Sequence, residues 1–317
     1  MYKISAFNKF RNRVILLLGL FFCLVCLDAK ENHPSNFKVW DLSSSWVISP
    51  LQALNLEKNG AKKVDARGLH LRFLPPLKSS VNMNWEEFTF EKQSEKGKLL
   101  GKEIALKKLK KIGIETNSTI LVFGDSLDGW GEEGRIVWML RELGIQSSYL
   151  VDGGVKHFNH LKSKKGDESK SQIQNFHSKS KIVSSFNIEA ETLSELVKQN
   201  SQKIEILDVR EKREFLGDTP YGESRRGHIS GAKWLFYREF IDESGFIKSS
   251  EEIIKLLHKK NISLNVTLVS YCTGGVRSAF TTAVLVSYGF KALNYSGSMW
   301  EWTSKDITNY PTITGDL

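Results

Sequence analysis

The chain has 317 residues, a length that predicts about two domains. Its apolar and charged fractions, 40% and 26%, are ordinary for a globular protein, so each half can bury a core of its own. The formal net charge of +9 would suit nucleic acid, but residues 1–29 carry +3 of it, residues 162–181 carry +4 and residues 182–317 carry −1. Because the excess lies mainly outside the folded faces, no nucleic-acid partner is expected.

The first 29 residues predict export. Basic residues precede the uncharged apolar run 14–27, which is shorter than a membrane span of about 20 residues. Ala29 can end a cleaved signal, although Leu27 is larger than a cleavage site prefers. The alternatives are a retained membrane anchor and a lipid attached to Cys26. The protein is therefore expected to be periplasmic, or anchored through its N-terminus to a membrane and facing the periplasm.

The cysteine count singles out one thiol. Of the three cysteines, Cys23 and Cys26 lie inside the apolar run, so removal of the signal leaves Cys272 without an intrachain disulfide partner. Such a residue is either an inert buried cysteine or a reactive thiol. The neighbouring residues decide between these two readings.

Two halves of the sequence echo each other across a polar segment rich in Lys and Ser. We predict an N-terminal domain over 38–161, a solvated linker over 162–185 and a C-terminal domain over 186–317. In each half a helix and a turn lead to an apolar strand, and Gly124 aligns with Cys272 at an offset of 148. The next helix ends at Gly144 or Gly289, an offset of 145, which gives the first half three extra loop residues. The period indicates a duplicated domain.

The order strand, helix, strand predicts an α/β fold with parallel pairing in each half. The tetrapeptide VDAR at 64–67 echoes LDVR at 207–210, and the apolar run VTLVSY reads as a strand covered on both faces. Ligands of open parallel sheets lie beyond the carboxyl ends of the strands. Cys272 follows such a strand.

The segment YCTGGVRSAF predicts an activated cysteine. Gly274 and Gly275 allow the backbone to curl so that several N–H groups point inward, and the helix that follows adds its N-terminal dipole. Arg277 places a positive charge nearby. Because each of these features favours the thiolate, we expect Cys272 to have a lowered pKa and to act as a nucleophile.

Four motifs together resemble the active domain of rhodanese-type sulfurtransferases: LDVREKREFLG, RRGHISGA, CTGGVRS and YSGSMWEW. The resemblance covers the C-terminal half from about Phe186 and, more weakly, residues 38–161. It implies two rhodanese-like domains, each a small and mostly parallel sheet flanked by helices. It also implies a cycle in which Cys272 takes a sulfane sulfur from a small anionic donor such as thiosulfate, becomes a persulfide, and passes the sulfur to a thiol or cyanide acceptor.

By position in the motif, the resemblance assigns Cys272 as the sulfur carrier and five following residues as its cradle: Thr273, Gly274, Gly275, Val276 and Arg277. Arg210 and Arg226 become candidate anion contacts at the rim of the pocket, or else ion-pair partners of Glu211, Glu214 or Glu223. No cofactor and no metal are expected, and the protein is expected to be a monomer. Asp208 and His228 are expected to hold loops, and Trp300 and Trp302 to pack in the core or the pocket wall.

The first half departs from the active pattern at the decisive place. Its strand ends in Gly124 and Asp125 without a cysteine, and its longer loop is acidic. We therefore predict that this half carries no sulfur, packs against the active half and helps to shape the cleft.

Three alternatives stay open. Related phosphatases have five residues between Cys and Arg, whereas only residues 273–276 separate Cys272 from Arg277 here, which disfavours phosphoester hydrolysis. A non-catalytic sulfur-binding or redox-sensing module would keep the thiol without turnover. The donor can be thiosulfate or 3-mercaptopyruvate, because the loop matches neither branch of the family closely.

Overall fold

The computed structural model describes residues 41–42, 44–68, 71, 77–92, 94–165 and 185–315. The predicted export signal and residues 166–184 of the predicted linker lie outside these ranges. Among the described helices, none combines the length and the apolar content needed to cross a membrane.

The elements of the first half are β1 (Val47–Ile48), α1 (Pro50–Lys58), β2 (Lys62–Asp65), β3 (Ser80–Asn82), α2 (Lys102–Lys111), β4 (Ile120–Phe123), α3 (Glu132–Glu142), β5 (Ser148–Val151) and α4 (Gly154–Lys165). A short 3-10 helix, Trp85–Phe88, follows β3. The five strands form a parallel sheet in the order β1-β5-β4-β2-β3.

The elements of the second half are α5 (Ala190–Lys198), β6 (Ile204–Asp208), α6 (Lys212–Leu216), β7 (His228–Ile229), β8 (Lys233–Trp234), α7 (Ser250–Lys259), β9 (Thr267–Tyr271), α8 (Val276–Ser287), β10 (Ala292–Asn294), α9 (Ser298–Ser304) and β11 (Thr312–Ile313). A 3-10 helix, Tyr237–Phe240, follows β8. Four strands form a parallel sheet in the order β10-β9-β6-β8, and β7 and β11 form a separate antiparallel pair.

Both halves therefore have the predicted α/β architecture, and local sequence explains much of it. Helix α7 begins at a capping box, in which the Ser249 hydroxyl accepts from the Glu252 N–H and the Glu252 carboxylate accepts from the Ser249 N–H. Ile253 and Leu257, one helical turn apart, are buried beneath it. Strand β9 is a run of apolar residues covered on both faces, as its composition predicts.

The similarity between the two halves includes both ends of one pair of equivalent helices, α3 and α8. Gly144 and Gly289 follow α3 and α8 with φ of +97° and +83°, the conformation of a C′ glycine. Gly131 and Gly275 precede the same helices with φ of +83° and +81°. These two glycines are 144 positions apart, so the loop of the first half has four extra residues, and the expected three is wrong. The difference arises because α8 is one residue longer than α3.

The beginning of the predicted linker is helical, which corrects its boundary. Helix α4 continues to Lys165, because Phe158 and Leu161 are buried on one face of it. The Lys162 ammonium lies 3.0 Å from the Glu57 carboxylate on α1. The other predicted domain boundaries stay predictions.

Helices α3 and α8 pack against each other where the two halves meet. A side-chain carbon on Gly134 would lie 2.3 Å from the Phe280 Cα, and one on Gly131 would lie 2.8 Å from the Phe280 Cβ. Two glycines are therefore needed for this close approach. The crossing brings the first turn of α8, and the loop that contains Cys272, next to the first half.

Candidate active site

Cys272 follows the last residue of β9 and is 1% exposed. Its backbone N–H donates to the Ser298 hydroxyl at 3.1 Å, and that hydroxyl donates to the Tyr295 carbonyl at 2.7 Å. The N–H groups of Met299 and Trp300 donate to the carbonyls of Cys272 and Thr273. The start of α9 therefore fixes the backbone of the cysteine loop.

Hydrogen-bond donors converge on the sulfur atom. The Gly275 N–H donates to Cys272 Sγ at 3.2 Å, and the Ser278 hydroxyl lies 3.6 Å from it. Burial by itself raises the pKa of the Cys272 thiol, but the Arg277 charge and the hydrogen bonds from Ser278 and Gly274 outweigh burial, so that the pKa is lowered from its usual value. This is the environment that the two glycines and the helix N-terminus predict.

Both loop glycines are required by their neighbours. A side-chain carbon on Gly274 would lie 2.2 Å from the Trp300 ring, and one on Gly275 would lie 2.3 Å from the Ser296 carbonyl oxygen. Gly275 also has a positive φ of +81°. Any larger residue at either position would displace the loop that holds the thiol.

Arg277 is close to the thiol but is not a free cation. Its guanidinium makes two hydrogen bonds to the Glu214 carboxylate on α6, at 2.6 and 2.9 Å, and a third to the Thr273 hydroxyl at 2.8 Å. The Thr273 hydroxyl donates to Glu214 at 2.7 Å. The positive charge of Arg277 acts on Cys272, but the Glu214 carboxylate already compensates that charge. Val276, the remaining member of the predicted cradle, is buried.

Arg210 lies in a buried ion-pair cluster: its main partner is Asp208, and Glu223, one of the predicted partners, lies at the limit of ion-pair distance, but in the interior rather than at the surface. Its guanidinium bonds the Asp208 carboxylate at 2.6 to 3.1 Å and lies 4.0 Å from Glu223. In the first half, Arg67 makes the same pair with Asp65 at 2.7 Å. Because a half without the cysteine keeps this pair, its function is to hold the loop after the strand. Arg210 is not a surface residue with a free charge.

Asp208 holds further parts of the fold, as expected. Its carboxylate accepts from the Tyr271 hydroxyl at 2.7 Å, and that hydroxyl accepts from the Ile229 N–H. The His228 ring lies 2.9 Å from the Phe215 carbonyl and stacks on the Phe215 ring. These contacts tie α6 and β7 to the end of β6.

Arg226 is exposed, and its Nε donates to the Gly217 carbonyl at 3.0 Å. Within the described ranges it has no ion pair with a carboxylate, so the predicted pairing with Glu211, Glu214 or Glu223 does not form. Trp302 is buried in the core, and Trp300 covers Gly274 and donates to the Tyr221 carbonyl at 2.8 Å. Both tryptophans therefore pack as expected.

Three residues have contacts at this site that the sequence does not predict for them. Ser278 lies one position beyond the predicted cradle, and its place in the first turn of α8 is the signal that could have identified it. Glu214 comes from α6, where its burial depends on the tertiary fold. Arg135 comes from α3 of the first half, and its guanidinium donates to the Gly275 carbonyl at 3.3 Å. A basic residue within the apolar run of α3 is the only sequence signal for it.

In the first half, the Glu133 carboxyl group occupies the space that a cysteine side chain would take at the end of β4. A side-chain carbon on Gly124 would lie 2.0 Å from the Glu133 Oε2 atom, which is where a cysteine side chain would begin. Glu133 is buried; burial and the neighbouring Glu132 raise its pKa to about 8. Asp125, also nearby, acts in the same direction. This position favours a neutral acid and disfavours a thiolate.

A Gly124→Cys variant is therefore expected to unfold more easily, by about 1 to 3 kcal/mol, because the new side chain overpacks against Glu133. The double variant Gly124→Cys/Glu133→Ala is expected to recover part of this loss. Urea denaturation of both, with Glu133→Ala alone as the control, measures the effect. Equal stability of Gly124→Cys and the unchanged protein would contradict the described packing.

A parallel sheet whose strand ends in a glycine-rich loop around a buried cysteine with a lowered pKa is the arrangement expected of a site that uses a thiolate as its nucleophile. The rhodanese-like domain family matches residues 189–305, which include the whole cysteine loop. The second half of the chain therefore contains a rhodanese-like domain, and this match supports a rhodanese-type sulfurtransferase.

Similar proteins agree with this match. The chain is 28% identical over 195 residues to 3-mercaptopyruvate sulfurtransferase of Mus musculus, an alignment that covers 60% of this chain and 64% of that protein. It thus spans a little less than two thirds of that relative. The thiosulfate sulfurtransferase of Bos taurus is 24% identical over 199 residues, covering 60% and 65%. The crystal structure of Tum1 protein from Saccharomyces cerevisiae has the same fold, with a TM-score of 0.70 at 19% identity over 87% of this chain and 100% of that one.

Proposed function

We propose that the protein is a sulfurtransferase in which Cys272 carries a sulfur atom as a persulfide, with thiosulfate as the donor and a thiol or cyanide as the acceptor. The observation that carries this proposal is the convergence of the Gly275 N–H and the Ser278 hydroxyl on the Cys272 sulfur. A thiolate in this field is the nucleophile that the transfer requires.

The bonds and electrons of the reaction balance with the Cys272 thiolate, the donor and the acceptor alone. The Cys272 thiolate attacks the outer sulfur of thiosulfate, a new sulfur–sulfur bond forms, and the old bond breaks so that sulfite leaves with the electron pair. The acceptor then attacks the outer sulfur of the persulfide, and the Cys272 thiolate is the leaving group. In the first step the negative charge passes from the cysteine sulfur to the outer sulfur of the persulfide. In the second step it returns to the cysteine sulfur, where the Gly275 N–H already points.

The persulfide is expected to rest on the same donors as the thiolate. The Gly275 N–H and the Ser278 hydroxyl already face the inner sulfur, and α9 holds the backbone of Cys272 and Thr273 in place. Since Arg277 is compensated by Glu214, the charge available to hold a donor dianion is smaller than the sequence suggests. The name of the mouse relative supports 3-mercaptopyruvate, a monoanion, as a second candidate donor.

Intact mass spectrometry tests the proposal. After incubation with thiosulfate, the protein is expected to gain roughly 32 Da, the mass of one sulfur atom, and to lose it again with a thiol. The same incubation with 3-mercaptopyruvate and the ratio of kcat/KM on the two donors decide the donor. No mass gain with either compound would overturn the proposed function and leave a binding or redox-sensing module.

A parallel assay distinguishes phosphoester hydrolysis from sulfur transfer. An aryl phosphate is expected to give no phosphate release above that of a Cys272→Ser control. Release that depends on Cys272 would favour a phosphatase instead.

We further propose that the protein acts outside the cytoplasm, cleaved or anchored at residues 1–29, on the pattern of basic residues before an apolar run. Measuring the mass of the mature chain in the membrane and soluble fractions of the cell tests this location. A full-length chain confined to the cytoplasm would contradict it.

A further inference from the structure

Arg135 is a buried cation without a carboxylate partner. Its side chain is 1% exposed, yet the described part of the chain places no Asp or Glu within ion-pair distance of it. By contrast, Arg67, Arg210 and Arg277, which are buried to a similar degree, each pair with a carboxylate. An unpaired charge in the interior is costly, so it needs another source of negative potential.

The contacts of Arg135 lead to the cysteine loop. Its guanidinium donates to the Gly275 carbonyl at 3.3 Å and to the Gly97 carbonyl, and it lies 4.7 Å from the centre of the Trp138 ring. Gly275 is the residue whose N–H donates to Cys272 Sγ. Gly275 therefore links the buried cation to the thiol, because its carbonyl accepts from Arg135 and its N–H donates to Cys272 Sγ.

The charges agree with this geometry. Burial lowers the pKa of Arg135 to about 9, and the negative charge of Cys272 acts against burial and raises it. Arg135 thus stays protonated at neutral pH. The other charged groups that face the thiol are Arg277 on α8 and, through it and Thr273, the carboxylates of Glu214 and Glu223. The positive charge of Arg277 is compensated by this cluster, whereas that of Arg135 is not.

We propose that Arg135, supplied by the half that lacks a cysteine, is a positioning residue that stabilises the Cys272 thiolate across the boundary between the two halves. It acts through Gly275, whose carbonyl it holds, and through its uncompensated charge. The first half is then part of the electrostatic machinery of the site. The inference deepens the proposed function, but it concerns the thiolate itself and can be measured without sulfur transfer.

The chain offers a matched control on the same helix. Arg141 is also buried and forms no ion pair with any carboxylate among the described residues; it donates to the Ser148 carbonyl at 2.9 Å and lies over the Trp46 ring. Burial lowers its pKa to about 10. Its hydrogen bonds stay within the first half, with the Ser148 and Ser45 carbonyls. Its removal therefore costs comparable packing without changing the charge beside Cys272.

The test is the rate of Cys272 alkylation by iodoacetamide as a function of pH in folded protein. Arg135→Gln keeps a donor for the two carbonyls and removes the charge, so at pH 6 alkylation is expected to be about threefold to tenfold slower. Arg135→Lys, which keeps the charge, is expected to stay closer to the unchanged protein. Arg141→Gln is expected to alkylate at the unchanged rate. Circular dichroism and urea denaturation establish that each variant is folded.

A pH profile of Arg135→Gln equal to that of the unchanged protein would overturn the inference. Equal slowing by Gln and Lys would do the same, since it would show a structural role alone. If Arg135→Gln does not fold, Arg135→Met is measured in its place against Arg141→Met. The proposed function fails on a different observation, the absence of a gain of one sulfur in mass, so the two failures are distinguishable.

Discussion

A Cys272→Ser variant is expected to lose sulfurtransferase turnover by at least about 10³-fold while keeping its fold. Serine replaces the sulfur with a hydroxyl of similar size, so the hydrogen bonds around the loop can persist. A hydroxyl cannot form a persulfide, and nothing in the loop can take over this step, because Cys272 is the only cysteine of the chain outside residues 23 and 26. Steady-state assays with thiosulfate and cyanide measure the loss.

The matched control is Ser278→Ala. It removes one hydroxyl that lies 3.6 Å from the sulfur and leaves the Gly275 N–H in place, so a loss of about tenfold or less is expected. Stability measured by urea denaturation should be close to that of the unchanged protein for both variants. Substantial turnover in Cys272→Ser would show that sulfur transfer does not pass through this residue.

Whether a residue of the site could be predicted from the sequence depends on how far it lies from the cysteine along the chain. The loop from Cys272 to Arg277 could be predicted, because glycines, a helix start and a strand end are local features that neighbouring residues fix. Glu214 could not, since it is 58 positions away and its burial depends on where α6 packs. Arg135 is 140 positions from Gly275, and only the crossing of α3 over α8 brings them together.

The duplication also explains why Arg210 is buried instead of lying at the rim of the pocket. Its sequence neighbours make it look like a charge at the rim, but the VDAR segment of the first half has the same Asp and Arg and no cysteine nearby. The buried pairs of Arg67 with Asp65 and of Arg210 with Asp208 have the same geometry because the same strand end needs the same turn. Because the half without a cysteine keeps the same pair, the fold alone explains it. Conversely, the described residues of the first half contain no counterpart of the Arg277–Glu214 pair.

The second large expected effect is the loss of stability when the Arg277–Glu214 pair is broken. The Glu214 carboxylate and the Arg277 guanidinium are buried together, so removal of either partner leaves an uncompensated charge in the interior. Both Glu214→Gln and Arg277→Met are expected to destabilise the protein by about 3 kcal/mol or more. Glu191→Gln, which removes a pair with Lys305 that is largely open to solvent, is expected to cost about 1 kcal/mol or less. Urea denaturation at neutral pH compares the three.

The two variants are expected to change the thiol in opposite directions. Glu214→Gln leaves the Arg277 charge uncompensated beside Cys272, so alkylation at pH 6 should become faster. Arg277→Met removes the main positive charge that lowers the pKa of Cys272, so alkylation should become slower. Loss of stability in both variants with a change of reactivity in the same direction would contradict this assignment, because disruption of the loop alone predicts no difference of sign.

The stability of the same pair also depends on pH. Burial raises the pKa of Glu214, but Arg277 outweighs burial and lowers it below its usual value. A carboxyl with a lowered pKa stabilises the folded state above its unfolded pKa of about 4.3, and this contribution is lost as the pH falls through the folded value. The difference in stability between the unchanged protein and Glu214→Gln is therefore expected to be full at pH 7 and to shrink below about pH 4. A difference that stays constant to pH 3 would show that the Glu214 charge does not stabilise the folded state, and that the loss in Glu214→Gln comes from packing alone.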